Sequence, residues 1–175
     1  TGETTNNNFG NSVALAGDVN HDSYEDLIVG ARRYSSFTGR AYIYFGSSSG
    51  LSATPSITLS AQEASSRFGT SVASAGDVNN DGYDDVIVGS YAYHDFAGRA
   101  YMYYGGYSGP SATPSLILEA ENVEDAFGIS VASAGDVNND SYDDALVGAR
   151  SYNNQTGRAY VYYGRSSGPS ATPNV

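Results

Sequence analysis

Residues 68–89 read FGTSVASAGDVNNDGYDDVIVG, and the same pattern recurs at residues 9–30 as FGNSVALAGDVNHDSYEDLIVG and at residues 127–148 as FGISVASAGDVNNDSYDDALVG. Consecutive copies begin 59 residues apart, and a Gly-Arg-Ala-Tyr segment follows each copy at the same interval. A fixed period of this length is the signature of a repeat architecture. The chain is therefore three copies of one unit without insertions. The units span residues 1–59, 60–118 and 119–175.

Each unit predicts four short β-strands, which in the second copy are Ser71–Ala75, Asp85–Gly89, Ala100–Tyr104 and Ser115–Leu118. In the third strand, tyrosines alternate with Ala and Met, so both faces of the sheet are apolar or aromatic. Such a sheet fits between two similar sheets, as a propeller blade does. We therefore predict an all-β fold of three tandem four-stranded blades, with the tyrosine stripes packing one blade against the next.

The last unit is expected to be shorter than the other two. Ser52–Pro55 and Ser111–Pro114 precede a fourth strand in the first two units, whereas Ser170–Pro173 is followed only by Asn174 and Val175. We therefore expect the third blade to lack its outer strand. Propellers close with ~4–8 blades. Further sequence, or oligomerisation of this chain, is expected to complete the ring.

Composition excludes several classes of function. The chain has a formal net charge of −11 and eight basic residues, all of them arginine, so nothing resembles the dense basic face of a nucleic-acid-binding protein. With no cysteine, it has no disulfide, thiolate metal site or cysteine nucleophile. Its apolar runs are too short to predict a membrane span. Cations are the partners that the charge favours.

An acidic loop of nine residues follows the first strand of every unit, beginning at Asp18, Asp77 and Asp136. Oxygen-bearing side chains occupy positions 1, 3, 5 and 9, and we expect the first three to point into the turn while the ninth closes the site. The carbonyl of position 7 is expected to complete the set. The predicted ligands are Asp18, Asn20, Asp22, Tyr24 and Asp26 in the first loop; Asp77, Asn79, Asp81, Tyr83 and Asp85 in the second; and Asp136, Asn138, Asp140, Tyr142 and Asp144 in the third.

Oxygen ligands in this number favour Ca²⁺, and we predict three ions per chain. The alternative is a solvated turn, because Asp and Asn favour turns without any metal. Four carboxylates in nine positions favour the metal, since their mutual repulsion needs a cation to offset it. Position 6 is Gly82 in the second loop but Ser23 and Ser141 in the others, so a positive φ there would make the first and third loops weaker binders.

The Phe-Gly, Ala-Gly-Asp-Val-Asn, Val-Gly and Gly-Arg-Ala-Tyr segments together resemble the FG-GAP repeat of integrin α-subunit propellers and their bacterial relatives. The resemblance covers almost the whole chain. It implies four-stranded blades, calcium bound by the acidic loops at one rim, and a ring that usually has seven blades. It also implies an extracellular module for adhesion or ligand binding.

Three functions remain open at this stage. The first is a binding or adhesion module with structural Ca²⁺, the second a lectin-like carbohydrate-binding propeller, and the third the accessory domain of a secreted hydrolase. Catalysis by the chain itself is not expected, because its only histidines, His21 and His94, occupy non-equivalent places in the repeat.

The loop after the second strand differs most between copies, reading RRYSSF at residues 32–37, YAYHDF at 91–96 and RSYNNQ at 150–155. Loops that vary on a fixed scaffold are where partners usually bind, although drift of exposed loops explains variation equally well. We expect a protein or glycan ligand at this rim, opposite the acidic loops. Asn154 begins a glycosylation acceptor sequence. Because cytosolic free calcium would rarely fill low-affinity sites, an extracellular location is expected.

Overall fold

The computed structural model describes residues 5–61 and 63–174. The strands of the first unit are β1 (Phe9–Gly17), β2 (Asp26–Ala31), β3 (Arg40–Tyr44) and β4 (Ile57–Ser60); those of the second are β5 (Ser71–Gly76), β6 (Asp85–Ser90), β7 (Arg99–Tyr103) and β8 (Leu116–Glu119); those of the third are β9 (Phe127–Gly135), β10 (Asp144–Ala149) and β11 (Arg158–Tyr162). Single helical turns α1 (Tyr34–Phe37), α2 (Tyr93–Phe96) and α3 (Tyr152–Gln155) follow the second strand of each unit.

The strands form three antiparallel sheets in which neighbours in sequence are neighbours in space. Two sheets have four strands, in the orders β1-β2-β3-β4 and β5-β6-β7-β8, and within the described residues the third has three, β9-β10-β11. The sheets are not closed into a ring. The predicted all-β fold of three blades is therefore confirmed, with the expected three strands in the last blade.

The second blade packs its two faces against different neighbours. Tyr101 and Tyr103 of β7 are buried against Ile28 and Ile43 of the first blade, together with Phe68. The alternate residues of β7, Ala100 and Met102, are buried against Phe127, Tyr160 and Tyr162 of the third blade. Period-two alternation along a strand sends successive side chains to opposite faces. The tyrosine stripes thus pack between blades, as the sequence analysis expected.

Glycines of the Val-Gly and Phe-Gly segments meet across each blade boundary. A Cβ on Gly30 would lie 2.1 Å from the carbonyl oxygen of Gly69, and one on Gly89 would lie 2.0 Å from that of Gly128. No real Cβ tolerates such a distance, so only glycine lets the backbones of adjacent blades approach this closely. This contact is the physical reason for the pairing of the two motifs.

Antiparallel connections place the loops of each unit at alternate ends of the sheet. The acidic loops join the first and second strands at one rim, and α1, α2 and α3 lie at the other. Three consecutive residues within or at the end of each short turn have positive φ, for example Ser35 (47°), Ser36 (56°) and Phe37 (69°). These left-handed turns were not predicted from the sequence. Among the described residues, no helix has the length and apolar character that a membrane span requires.

Candidate metal centre

The acidic loops share one backbone conformation. A register shift between Leu15 and Gly17 places Gly17 opposite Asp26, and the second and third sheets contain the same irregularity. Position 4 of each loop has positive φ: 56° at His21, 55° at Asn80 and 59° at Asn139. Position 6 does too: 73° at Ser23, 90° at Gly82 and 75° at Ser141. All three loops therefore have the positive φ at position 6 that glycine adopts readily and serine adopts at a conformational cost.

The side chains at positions 1, 3 and 5 turn into the loop, as predicted. In the first loop, the Asp18 carboxylate accepts hydrogen bonds from the N–H groups of Asp22 (2.9 Å) and Ser23 (2.8 Å). Asn20 Oδ1 accepts from Asp22 N–H at 3.1 Å, and the Asp22 carboxylate accepts from Tyr24 N–H at 3.0 Å. The other two loops repeat these bonds at 2.8–3.1 Å. These are Asx-type turns, and they bring the oxygens together.

The carboxylate at position 9 lies behind the loop rather than at its mouth. Asp26 is fully buried; one oxygen accepts a hydrogen bond from Val19 N–H at 3.1 Å and the other from Gly46 N–H at 2.8 Å. Asp85 and Asp144 are equally buried and make the same pair of bonds. The residue therefore anchors the loop to the connection after the third strand. A carboxylate has about four lone-pair positions, so two remain for another partner.

Negative charge is concentrated and uncompensated at these loops. Burial raises the pKa of Asp85 to about 7, with hydrogen bonds opposing the rise and the charges of Asp81 and Asp77 adding to it. The same causes raise the pKa of Asp26. Within the described residues no arginine forms a salt bridge with a loop carboxylate. A divalent cation is the kind of partner that would relieve this repulsion.

Position 8 of the loop has a role that the sequence analysis missed. Asp84 does not face its own loop: its carboxylate accepts a hydrogen bond from Asp18 N–H at 2.7 Å, and its N–H donates to Asp18 O at 3.2 Å. Asp143 makes the same two bonds to Asp77, at 3.0 and 3.2 Å. Each acid thus clamps its loop to that of the preceding blade. The available signal was an acidic residue at position 8 in every copy, including Glu25.

The remaining candidates are placed as follows. Tyr24, Tyr83 and Tyr142 at position 7 donate their N–H groups to the carboxylate at position 5. His21 lies in the first acidic loop and His94 in α2 at the opposite rim, so the structure does not bring the two histidines together. Asn154 is exposed in α3.

The loops fit a hard cation better than a transition metal. Across residues 5–61 and 63–174, no group of three or more Asp, Glu, His or Cys side chains is placed to hold a metal ion on its own. Each loop instead offers carboxylate oxygens, one asparagine amide and backbone carbonyls. A mixed set of this kind suits Ca²⁺, whose coordination is flexible and drawn from oxygen donors. The assignment of individual ligands stays a prediction.

Comparison with known proteins agrees with this architecture. The family model of the FG-GAP repeat matches residues 9–44, 68–103 and 127–162. Integrin alpha-8 of Mus musculus is 35% identical over 162 residues, covering 85% of this chain and 15% of that protein. Integrin alpha-6 of Gallus gallus is 36% identical over 155 residues, with coverages of 86% and 14%. Integrin alpha-5 of Xenopus laevis is 30% identical over 193 residues, with coverages of 100% and 18%. The chain thus spans less than a fifth of these relatives.

Proposed function

This chain belongs to the FG-GAP repeat family, and on that premise we propose that it is a calcium-binding β-propeller module for extracellular adhesion or ligand binding. The observation that carries the proposal is the set of three acidic loops with one shared conformation. Their side-chain oxygens turn into the loop to accept hydrogen bonds from its N–H groups, and no arginine among the described residues forms a salt bridge with them. One Ca²⁺ binds each loop, three per chain, and stabilises the module without taking part in catalysis.

The ligands are the side chains at positions 1, 3, 5 and 9 and the carbonyl of position 7 in each loop. A bound ion replaces some of the turn's internal hydrogen bonds with stronger charge interactions, and it offsets the carboxylate repulsion that adds to the effect of burial in raising the pKa of Asp85. Because the ion binds only the folded loop, it stabilises the fold by about 2.7 kcal/mol per site at a hundredfold excess over Kd.

Removal of calcium tests this proposal. We expect chelator to lower the melting temperature, and Asp22→Ala to reduce the calcium-induced rise by about a third, because one site of three is lost. Asp22 also accepts a hydrogen bond from the loop backbone, so Asp22→Ala lowers stability even without calcium. The readout is therefore the difference between the melting temperatures with and without calcium. Glu25→Ala is the matched control: it removes the same charge from the same loop at an exposed position that is not a proposed ligand. Its calcium-induced rise should equal that of the parent.

The ligand of the module binds at the rim opposite the acidic loops. Support comes from the turns α1, α2 and α3, which differ most between copies while the scaffold beneath them is constant. The similarity to integrin alpha subunits favours a protein ligand and a cell-surface or secreted location.

The third blade presents a face for another blade. Val19 and Val78 are fully buried in the first two blades, whereas the equivalent Val137 is 57% exposed. Leu146 and Val161 of the same face are also partly exposed. An apolar face of this kind takes the aromatic face of a further FG-GAP blade, supplied by more of the same polypeptide or by a second copy.

A further inference from the structure

We propose that the rim opposite the acidic loops carries a binding site for an acidic peptide, built from a ladder of alternating arginines and aromatic rings. The proposal rests on the proposed function, since it names the class of ligand for that rim. The ladder comprises Arg33, Phe37, Arg67, Tyr91 and Arg150 and is referred to below as the arginine ladder.

The ladder crosses all three blades. The guanidinium carbons of Arg33 and Arg67 lie 5.6 and 5.3 Å from the centre of the Phe37 ring. Arg67 also lies 5.4 Å from the centre of the Tyr91 ring, which in turn has Arg150 at 5.8 Å. A guanidinium within about 6 Å of a ring centre is held by the ring's negative face. The rings, of which Phe37 is exposed and Tyr91 is buried, therefore space three cations across this rim.

Repetition of the scaffold does not explain this arrangement. The scaffold has its own arginine–tyrosine contact, which recurs in every unit: Arg40 on Tyr34 at 3.8 Å, Arg99 on Tyr93 at 3.6 Å and Arg158 on Tyr152 at 3.9 Å. The ladder is different, because its members occupy positions where the copies disagree. Arg67 aligns with Asn8 and Ala126, and Arg33 with Ala92 and Ser151. These residues differ from copy to copy, yet the fold places them next to one another at one rim.

The cations of the ladder are available to a ligand. Arg99 and Arg158 form salt bridges with glutamates, but Arg33, Arg67 and Arg150 form none with the described residues. Arg33 and Arg150 are exposed, and Arg67 donates a hydrogen bond to the Tyr91 hydroxyl. Guanidinium groups recognise carboxylates through paired N–H donors. Three guanidinium groups without a carboxylate partner among the described residues favour an anionic partner at this rim, against the net charge of −11 of the whole chain.

A concavity of mixed polar and aromatic lining lies beside the central arginine. It has a volume of about 400 Å³ and is lined by Phe37, Arg67, His94, Asp95 and Phe96 among others. Phe37 and Phe96 are 41% and 48% exposed, which leaves ring surface uncovered. Arginine and aromatic residues around a pocket are the composition of interface hot spots. The concavity suits an apolar side chain whose neighbours along the peptide bear carboxylates.

A peptide fits these features better than a polysulfated glycan does. Aromatic rings separate the guanidiniums of the ladder, and Asp95 lines the same concavity, so the surface has no contiguous cationic block. A sulfated chain has uniform, dense charge and gains nothing from exposed phenylalanine. Alternating carboxylates and apolar side chains match alternating cations and rings.

Selection from a phage-displayed library of random short peptides, in excess calcium, tests the proposal. We expect enrichment of peptides that combine Asp or Glu with an aromatic residue. Fluorescence anisotropy with the synthesised peptides should show affinity falling about two- to fivefold for Arg33→Ala and for Arg150→Ala, as loss of one exposed charge contact does. Arg165→Ala is the matched control, because Arg165 lies at the acidic-loop rim, where its N–H donates to Val78 O. Arg165→Ala should leave the affinity for the selected peptides unchanged.

Three results would overturn the arginine ladder. The selection could enrich basic peptides or no peptide at all, or Arg165→Ala could weaken peptide binding as much as Arg33→Ala does. The protein could also bind heparin while binding none of the selected peptides. Calcium-dependent melting of the same samples separates this failure from failure of the proposed function. If peptide binding fails while calcium still raises the melting temperature, the arginine ladder is rejected and the proposed function is not. Because Arg33 and Arg150 are exposed, their substitution leaves the fold intact and keeps the test decisive.

Discussion

At the scale of single residues, position 6 of the acidic loops is where sequence and conformation disagree. Only the second loop has the glycine that a φ near 90° favours, while Ser23 and Ser141 adopt φ of 73° and 75°. A side chain in this region crowds the following carbonyl. The first and third loops therefore hold a strained residue inside an otherwise identical turn.

Ser23→Gly and Ser141→Gly should each stabilise the protein by about 0.5–1 kcal/mol, because the relief of strain exceeds the extra entropy of glycine in the unfolded chain. Gly82→Ser should destabilise it by a similar amount. Urea unfolding in the presence of chelator measures the change in the free energy of unfolding without any contribution from bound calcium. Ser167→Gly, at an exposed turn residue whose own φ is not positive, is the control and should not stabilise. Stabilisation by the control alone would contradict the role assigned to φ.

The sequence predicted where the acidic loops lie, but not which of their residues would contact a neighbouring blade. Oxygens at positions 1, 3 and 5 point inward because alternation within a tight turn dictates it, and that much could be foreseen. The orientation of Asp84 depends on the preceding blade, and no pattern within one unit reveals a contact between units. The arginine ladder was hidden for the same reason, since its members are dispersed between residues 33 and 150.

At the scale of elements, the acidic loops form a linked row and not three separate turns. Asp84 bonds both the N–H and the carbonyl oxygen of Asp18 in the preceding blade. Asp143 bonds the same two groups of Asp77. Two further bonds, from Gly106 N–H to Val19 O and from Arg165 N–H to Val78 O, run alongside at 3.0 Å. Stabilising one loop thus supports its neighbour through hydrogen bonds.

Asp84→Ala should destabilise the protein by about 1–3 kcal/mol, because the substitution leaves the Asp18 N–H without its partner at a half-buried site. Asp84→Asn keeps an acceptor oxygen and should recover part of the loss. Glu25→Ala removes the residue at the same position of the first loop, which has no preceding blade among the described residues, and should cost less than about 0.5 kcal/mol. Equal losses for Asp84→Ala and Glu25→Ala in thermal melts would reject the clamp.

At the scale of the whole molecule, the repeat creates one kind of interface and uses it twice. The aliphatic face of one blade receives the aromatic face of the next, first between the first and second blades and then between the second and third. The tyrosine stripes follow from this interface, and the repeat together with the alternation in the third strand predicted them, whereas the close approach of the motif glycines was not predicted. The exposed face of the third blade is the same surface without its neighbour.

This face should make the isolated chain associate, in a two-chain, six-blade ring or in larger species, because apolar blade faces remain uncovered. Light scattering across a range of concentrations measures the effect. Val161→Glu, on the face of the third blade, should reduce association, whereas Leu51→Glu, at an exposed loop position, should not. A chain that stays monomeric at every concentration would show that the blades do not pack as described.

Calorimetric titration with calcium is the decisive measurement, because it counts the sites that the three acidic loops are proposed to form. We predict three Ca²⁺ per chain, with the second loop binding more tightly than the first and third because it alone has glycine at position 6. Asp81→Ala should leave two sites. A titration that finds fewer than two sites in the parent protein would contradict the account and show that the loops are ordinary turns.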